Sequence, residues 1–150
     1  MASISVSGIA CAALIAASAP SIASAFQAGE VEVAVEGLRN ARGQVRLCLT
    51  RDPGHFPDCN GDPAAVKRSL PAGQAGAIRL GGLAPGTYAL SVIHDENGNG
   101  RLDRFMAIPR EGFGFSRNPR IRMGPPRFEE VRFEVGAGRV RQTVRLRYLL

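Results

Sequence analysis

The run His94-Asp95-Glu96-Asn97-Gly98-Asn99-Gly100-Arg101-Leu102-Asp103 places oxygen-bearing side chains at alternate positions and follows them with a glycine. That is the chemistry of a hard cation. Calcium takes six to eight oxygens, and a loop gathers them economically when Asp or Asn alternate and Gly stands sixth, where the chain must turn. Asp95, Asn97 and Asn99 fill the first, third and fifth positions, Gly100 the sixth, and the carbonyl of Arg101 can serve at the seventh. Leu102 pins the loop to the core, and Asp103 at the ninth position binds directly or through water. Met106 stands twelfth, where an EF-hand carries its bidentate Glu, so Glu111 or another loop carbonyl is the candidate to complete the shell. With two formal charges supplied, the expected site is a weak extracellular type of about 0.1 to 1 mM. The alternative is an Asn-Gly turn held by its own side-chain to backbone bonds, with no ion.

Other chemistry is harder to assemble. His94 and Asp95 are adjacent, and successive strand residues point to opposite faces, so they are not two members of a catalytic triad. By parity with Tyr88, Leu90 and Val92, His94 faces the core edge as a hydrogen-bonded structural residue. Oxygen ligands dominate and one His is near, which argues against soft metals. No nucleophile stands beside a base and no pair of carboxylates stands out, so the chain reads as a non-enzyme. Arg139, Arg141, Arg145 and Arg147 recur at period two and would form a basic stripe on one sheet face. Such a stripe could hold acidic polysaccharide, or be a solvated face neutralised by Glu130 and Glu134. Phe113, Phe115 and Arg117 could stack on a sugar or simply cap one end of the domain.

The compartment follows from the first 25 residues, an uncharged run of small and apolar residues ending Ala23-Ser24-Ala25, the form of a signal peptide with its cleavage site. Its apolar stretch of ~12 residues is too short to span a bilayer. A periplasmic or secreted location is expected, with residues 26–150 forming a single β-sandwich domain and no membrane span in it. Beyond the leader the only cysteines are Cys48 and Cys59, with ten residues between them. In an exported chain they most simply form one disulfide. The net charge is +6, and residues 101–150 carry twelve Arg against five acids. A cationic half can attract acidic polysaccharide, lipid headgroups or nucleic acid by its long-range field, and acidic polysaccharide or an envelope protein is the expected partner. Nucleic acid is disfavoured by export and by the lack of aromatics interleaved with a basic groove.

The elements that would position these residues are strands. Glu30–Glu36 alternates strictly, with Val31, Val33 and Val35 on one face, and Gln44–Thr50 turns Val45, Leu47 and Leu49 inward and Cys48 outward. Ala64–Leu70 fits one helical turn or an irregular strand. Gln74–Leu80 reads as a short strand, and a Pro85-Gly86 turn feeds another through Tyr88, Leu90 and Val92. Phe105–Arg127, with four prolines, has no sustained period and is expected as a long loop, with Pro109–Arg127 packing on the cation loop as an interaction surface. Phe128–Val135 and Arg139–Leu149 alternate again. Paired as a hairpin through a four-residue loop, they would set Glu134 opposite Arg141 and Glu130 opposite Arg145. The sum is an all-β chain of roughly seven strands in an Ig-like or prealbumin-like sandwich, with a long loop in its C-terminal half.

Two resemblances bear on this. Leu83-x-Pro85-Gly86-x-Tyr88 is similar to the turn of prealbumin-like and carboxypeptidase-regulatory-like β-sandwiches, which concerns fold alone. Prealbumin-fold hydrolases acting on hydroxyisourate end in a Tyr-Arg-Gly-Ser type of tail, whereas this chain ends Arg147-Tyr148-Leu149-Leu150. His94-Asp95-x-Asn97-x-Asn99-Gly100-x-Leu102-Asp103, Ile108-Pro109-x-Glu111-Gly112-Phe113-Gly114-Phe115-Ser116 and Gly124-Pro125-Pro126-x-Phe128 together resemble the bacterial family named domain of unknown function 2141. That resemblance covers most of the chain after the leader and implies a secreted β-sandwich-like domain with no assigned activity. Ala107 stands where the family pattern leads one to expect glycine.

Overall fold

A computed structural model describes residues 27–150. The expected signal peptide lies outside the described residues. Two sheets face each other across one core. The first has strand order β10-β1-β4, built from β1 (Gly29–Glu36), β4 (Ile78–Leu83) and β10 (Gly138–Arg145). The second has order β3-β2-β5-β8, built from β2 (Gln44–Thr50), β3 (Val66–Pro71), β5 (Gly86–Asp95) and β8 (Gly112–Phe115), with β9 (Phe133–Val135) pairing with β5 off that path. The chain is an all-β sandwich.

The alternation expected for β1, β2 and β5 determines what the core contains. Val31, Val33 and Val35 meet Val45, Leu47, Leu49, Leu90 and Val92, joined by Ile78, Leu80, Val144 and Leu146. A period of two puts every second side chain on one face, so strands from opposed sheets interdigitate there. Fully burying each such side chain contributes about 1.5–3 kcal/mol. Of the stretch Ala64–Leu70, which fits either a helical turn or an irregular strand, the part from Val66 onward is strand, the edge strand β3 ending at Pro71.

The second sheet is covered on its other face as well. Ala89, Phe113, Phe115, Phe128 and Val131 form a smaller apolar cluster there, packed by Phe56 and Ile121. Cys48 points to this side and bonds Cys59, with S–S at 1.92 Å and Cα atoms 5.8 Å apart. The bridge draws the loop after β2 across the sheet, as the parity of Cys48 requires.

Three expectations are corrected. The segment 105–127 is a loop only from residue 116 onward. Before that it folds into a two-stranded ribbon, β6 (Arg104–Phe105) and β7 (Ile108–Pro109), and then β8, which brings the described strands to ten. Pieces of two to four residues are too short to display a period. Phe128–Val135 opens as the helical turn α1 (Phe128–Val131) before β9. Phe128 and Val131 are three apart and share a buried face, and Glu130 Oε2 accepts the Arg127 N–H at 2.7 Å, closing the turn from its own start.

Finally, β9 and β10 do not pair as a hairpin. β9 runs antiparallel to β5, with Tyr88 opposite Phe133, and β10 runs parallel to β1 with Glu30, Glu32 and Glu36 opposite Arg139, Arg141 and Arg145. Gly136-Ala137-Gly138 therefore carries the chain from one sheet to the other. At its far end β10 leans across to the second sheet, where Phe113 and Arg147 exchange backbone bonds of 3.0 and 2.8 Å.

Candidate functional site

The cation-loop residues begin where β5 ends. Asp95 is fully buried, and its two oxygens accept the N–H groups of Asn99 at 3.1 Å and Gly100 at 2.8 Å, with Arg46 Nη1 3.9 Å from Oδ2. A carboxylate removed from water needs such partners. Asn97 Oδ1 accepts the Asn99 N–H and Asn99 Oδ1 the Arg101 N–H, each at 3.0 Å. Gly100 takes φ +87°, which a side chain would resist, so the sixth-position glycine is needed for the turn itself.

The amide nitrogens of the same two asparagines face Asp103. Asn97 Nδ2 donates to Oδ2 at 2.6 Å and Asn99 Nδ2 to Oδ1 at 2.9 Å. Hydrogen bonds from Asn99 and then Asn97 hold the Asp103 carboxyl below its usual range. Four of the five expected ligand residues, Asp95, Asn97, Asn99 and Asp103, thus belong to one bonded loop, in which the asparagine amide nitrogens face Asp103 and the Asp95, Asn97 and Asn99 oxygens accept backbone N–H groups. Arg101 contributes an N–H to it while its side chain is exposed.

Glu111, the candidate to complete a metal shell, lies against the loop by another route. It is buried, and its carboxylate accepts the Glu96 N–H at 2.9 Å and the Asp103 N–H at 3.0 Å. It spans both ends of the loop like a clasp. Met106, at the twelfth position, is exposed at the tip of the β6–β7 ribbon. Among the described residues, no three His, Cys, Asp or Glu side chains form a group that could hold a metal. Any cation here would rest on the amide and backbone oxygens as much as on carboxylates.

Two neighbours lock the loop to the sandwich. Glu96 turns out of it toward Arg39, whose Nε donates to Oε1 at 3.0 Å, and toward Asn40. Arg39 followed by Asn40 holds the Glu96 carboxyl at about 2 against the pull of burial. Arg39 also donates to the carbonyls of Leu150 at 2.8 Å and Arg110 at 3.0 Å, and lies 4.5 Å from the Tyr148 ring centre. Its planar fork suits it to bind several acceptors at once. Beneath sits His94, fully buried as parity predicts. Its Nε2 donates to the Arg42 carbonyl at 2.8 Å, because a carbonyl can only accept, and in the neutral ring Nδ1 then accepts from the Tyr148 hydroxyl at 2.7 Å. Both nitrogens are occupied, which leaves none to bind a metal. Burial pushes the Tyr148 hydroxyl pKa upward.

Tyr148 and Arg39 carry no motif and are not recognisable as partners of this loop from the sequence. One trace is Gly112, where a Cβ would come within 2.5 Å of the Tyr148 ring.

The expected ligand surface divides. Phe113 and Phe115 are each 6% exposed, so they are not a stacking platform. Loop 51–65 and α1 cover them, and the Phe56 ring sits 5.8 Å from that of Phe115. Arg139, Arg141 and Arg145 do line one face, but their neutralising acids are on β1 instead of Glu130 and Glu134. Arg139 Nε donates to Glu30 at 2.7 Å, Arg141 Nε to Glu32 at 2.9 Å, and Arg145 Nη2 to Glu36 at 3.4 Å. The hydrogen bond from Arg141 keeps the Glu32 carboxyl below its usual range, with Arg139 and Arg79 adding to it. Arg147 continues the parity but pairs through its backbone with Phe113.

No curated protein and no solved structure matches the chain significantly. A family model described as "Uncharacterized protein conserved in bacteria (DUF2141)" matches residues 33–143, a span running from β1 through the braced loop to β10. The chain accordingly belongs to this bacterial family, domain of unknown function 2141.

Proposed function

We propose that this protein is a non-catalytic, exported β-sandwich module, periplasmic or secreted, whose Asp95–Asp103 loop is a weak calcium-responsive clasp. One observation carries the reading: Asn97 and Asn99 are both bonded to Asp103 while Asp95 caps the same turn, so four oxygen-bearing residues already sit in one loop. A cation entering there would take over from the amide N–H groups as the neutraliser of Asp103, and the amides would offer it their oxygens. The bond from Arg39 to Glu96 and the clasp of Glu111 keep the loop in place whether or not an ion is bound. The consequence is an ordered surface, with an envelope protein or acidic polysaccharide as its partner.

The test is thermal unfolding in millimolar calcium and in chelator. At calcium tenfold above its Kd the stabilisation is about 1.4 kcal/mol, or a rise of roughly 4–7 °C for a domain of this size. Asp103→Ala should abolish the rise while leaving the Asp95 caps intact. An unchanged melting temperature in the native protein would refute the calcium reading.

A further inference from the structure

Among the described residues the β6–β7 ribbon gathers three exposed large apolar side chains within four positions, more than the exposed pair Leu149-Leu150 at the end of the chain. Met106 is 82% exposed, Phe105 57% and Ile108 42%. Phe105 lies directly opposite Ile108, so a two-residue turn, Met106-Ala107, forms the tip. Both turn residues have positive φ, 47° and 68°, the conformation for which hairpins use Asn-Gly. Neither residue is suited to it, and at this exposure no packing inside the domain compensates the strain. Strain retained at an exposed tip points to a role in binding. Around the base stand Arg101, Arg104 and Arg110, exposed and in no ion pair within 4 Å among the described residues, with Arg101 and Arg110 near enough to Asp103 to feel its charge. The base is tied to the loop and the sandwich: Arg110 donates its N–H to the Asp103 carbonyl at 2.9 Å, and the Arg110 carbonyl accepts from Arg39.

We propose that this ribbon is a membrane finger, which inserts Phe105, Met106 and Ile108 into the boundary of an anionic lipid surface while Arg101, Arg104 and Arg110 meet the headgroups. An apolar tip rimmed by unpaired arginines matches both layers of such a surface, the acyl boundary and the negative headgroups. The finger does not depend on calcium in the adjoining loop, and chelator can be present throughout its test.

The experiment is flotation of the protein with vesicles of phosphatidylglycerol and phosphatidylcholine in equal parts, against phosphatidylcholine alone. Binding is expected to the first and to weaken with added salt. Met106→Asp, a change at an exposed tip that leaves the sandwich untouched, should lower it at least about tenfold. Arg104→Glu should lower it and flatten the salt dependence. The chain contains no Trp, so Phe105→Trp supplies a single indole whose emission should shift to the blue and be quenched by brominated lipid. Retention of Met106→Asp equal to the native protein, or a solvent-like indole on bound vesicles, would overturn the proposal. Absence of vesicle binding, with self-association that Met106→Asp abolishes, would assign the finger to protein contact and likewise overturn it.

Discussion

Glu111 holds the Asp103 N–H at 3.0 Å from eight residues further along the chain, and its other oxygen holds the N–H of Glu96. One buried carboxylate thereby joins the two ends of the Asp95–Asp103 loop to β8. Glu111→Ala leaves both N–H groups without a partner, and losing two charge-assisted bonds should cost about 2–4 kcal/mol. Urea unfolding measures that loss, and amide exchange at Glu96 and Asp103 should accelerate beyond what the global destabilisation explains. Exchange there no faster than global unfolding predicts would mean that the clasp is not what orders the loop.

Acid should loosen the same region through Glu96. Its folded pKa of about 2 lies below the ordinary carboxylate value of 4.5, so the Arg39 contact stabilises the fold above the unfolded pKa and is lost as pH falls from about 4.5 toward 2. The stability of Glu96→Gln should have a shallower slope across this window. Parallel pH profiles for the two proteins would remove Glu96 from the acid response.

Tyr148 links the last residues of the chain to the end of β5. Tyr148→Phe deletes the donor to His94 Nδ1 and the acceptor of the Arg39 N–H, which stands 3.2 Å away. An unmet buried ring nitrogen should cost about 1–3 kcal/mol. The His94 ring resonances in NMR should shift. Stability equal to the native protein would show that water replaces the hydroxyl.

The disulfide ties down the layer over Phe113 and Phe115. Cys48→Ala with Cys59→Ala should cost about 2–3 kcal/mol, as expected for closing a short loop. It should also expose Phe56 and Phe115 to dye binding before the main core unfolds. A single cooperative transition without early dye uptake would show that the outer layer is not a separate unit.

A charge exchange checks the parallel pairing. Glu32→Arg places like charges beside Arg141 and should destabilise by roughly 1 kcal/mol, and adding Arg141→Glu should recover most of it. Additive losses would show that the two side chains are not coupled.

That pairing shows where reading the sequence falls short and how it could have gone further. Glu30, Glu32 and Glu36 have the same spacing, in the same direction, as Arg139, Arg141 and Arg145, and only a parallel register matches all three. The nearer acids, Glu130 and Glu134, suggest a hairpin because short connections are the usual expectation. Local pattern is silent on which of two remote sets wins, since each strand alternates equally well against either.

The sequence by itself determined what depends on neighbours a few residues apart. The inward faces of β1, β2 and β5, the outward Cys48, the turn at Gly100 and the burial of His94 all follow from a period of two or from the φ that glycine permits. Tertiary structure alone decided what depends on residues far apart. It buried Phe113 and Phe115 beneath Phe56, gave Glu96 to Arg39, set Tyr148 on His94, and made Glu111 a clasp on backbone N–H groups. Apart from the Asp103 N–H, eight residues from Glu111, these partners lie 15 to 59 residues away in the chain, and such contacts form only once the two sheets have closed on their core. The cation-type loop is therefore legible as a string of oxygens, whereas the bracing that holds it is a property of the folded sandwich.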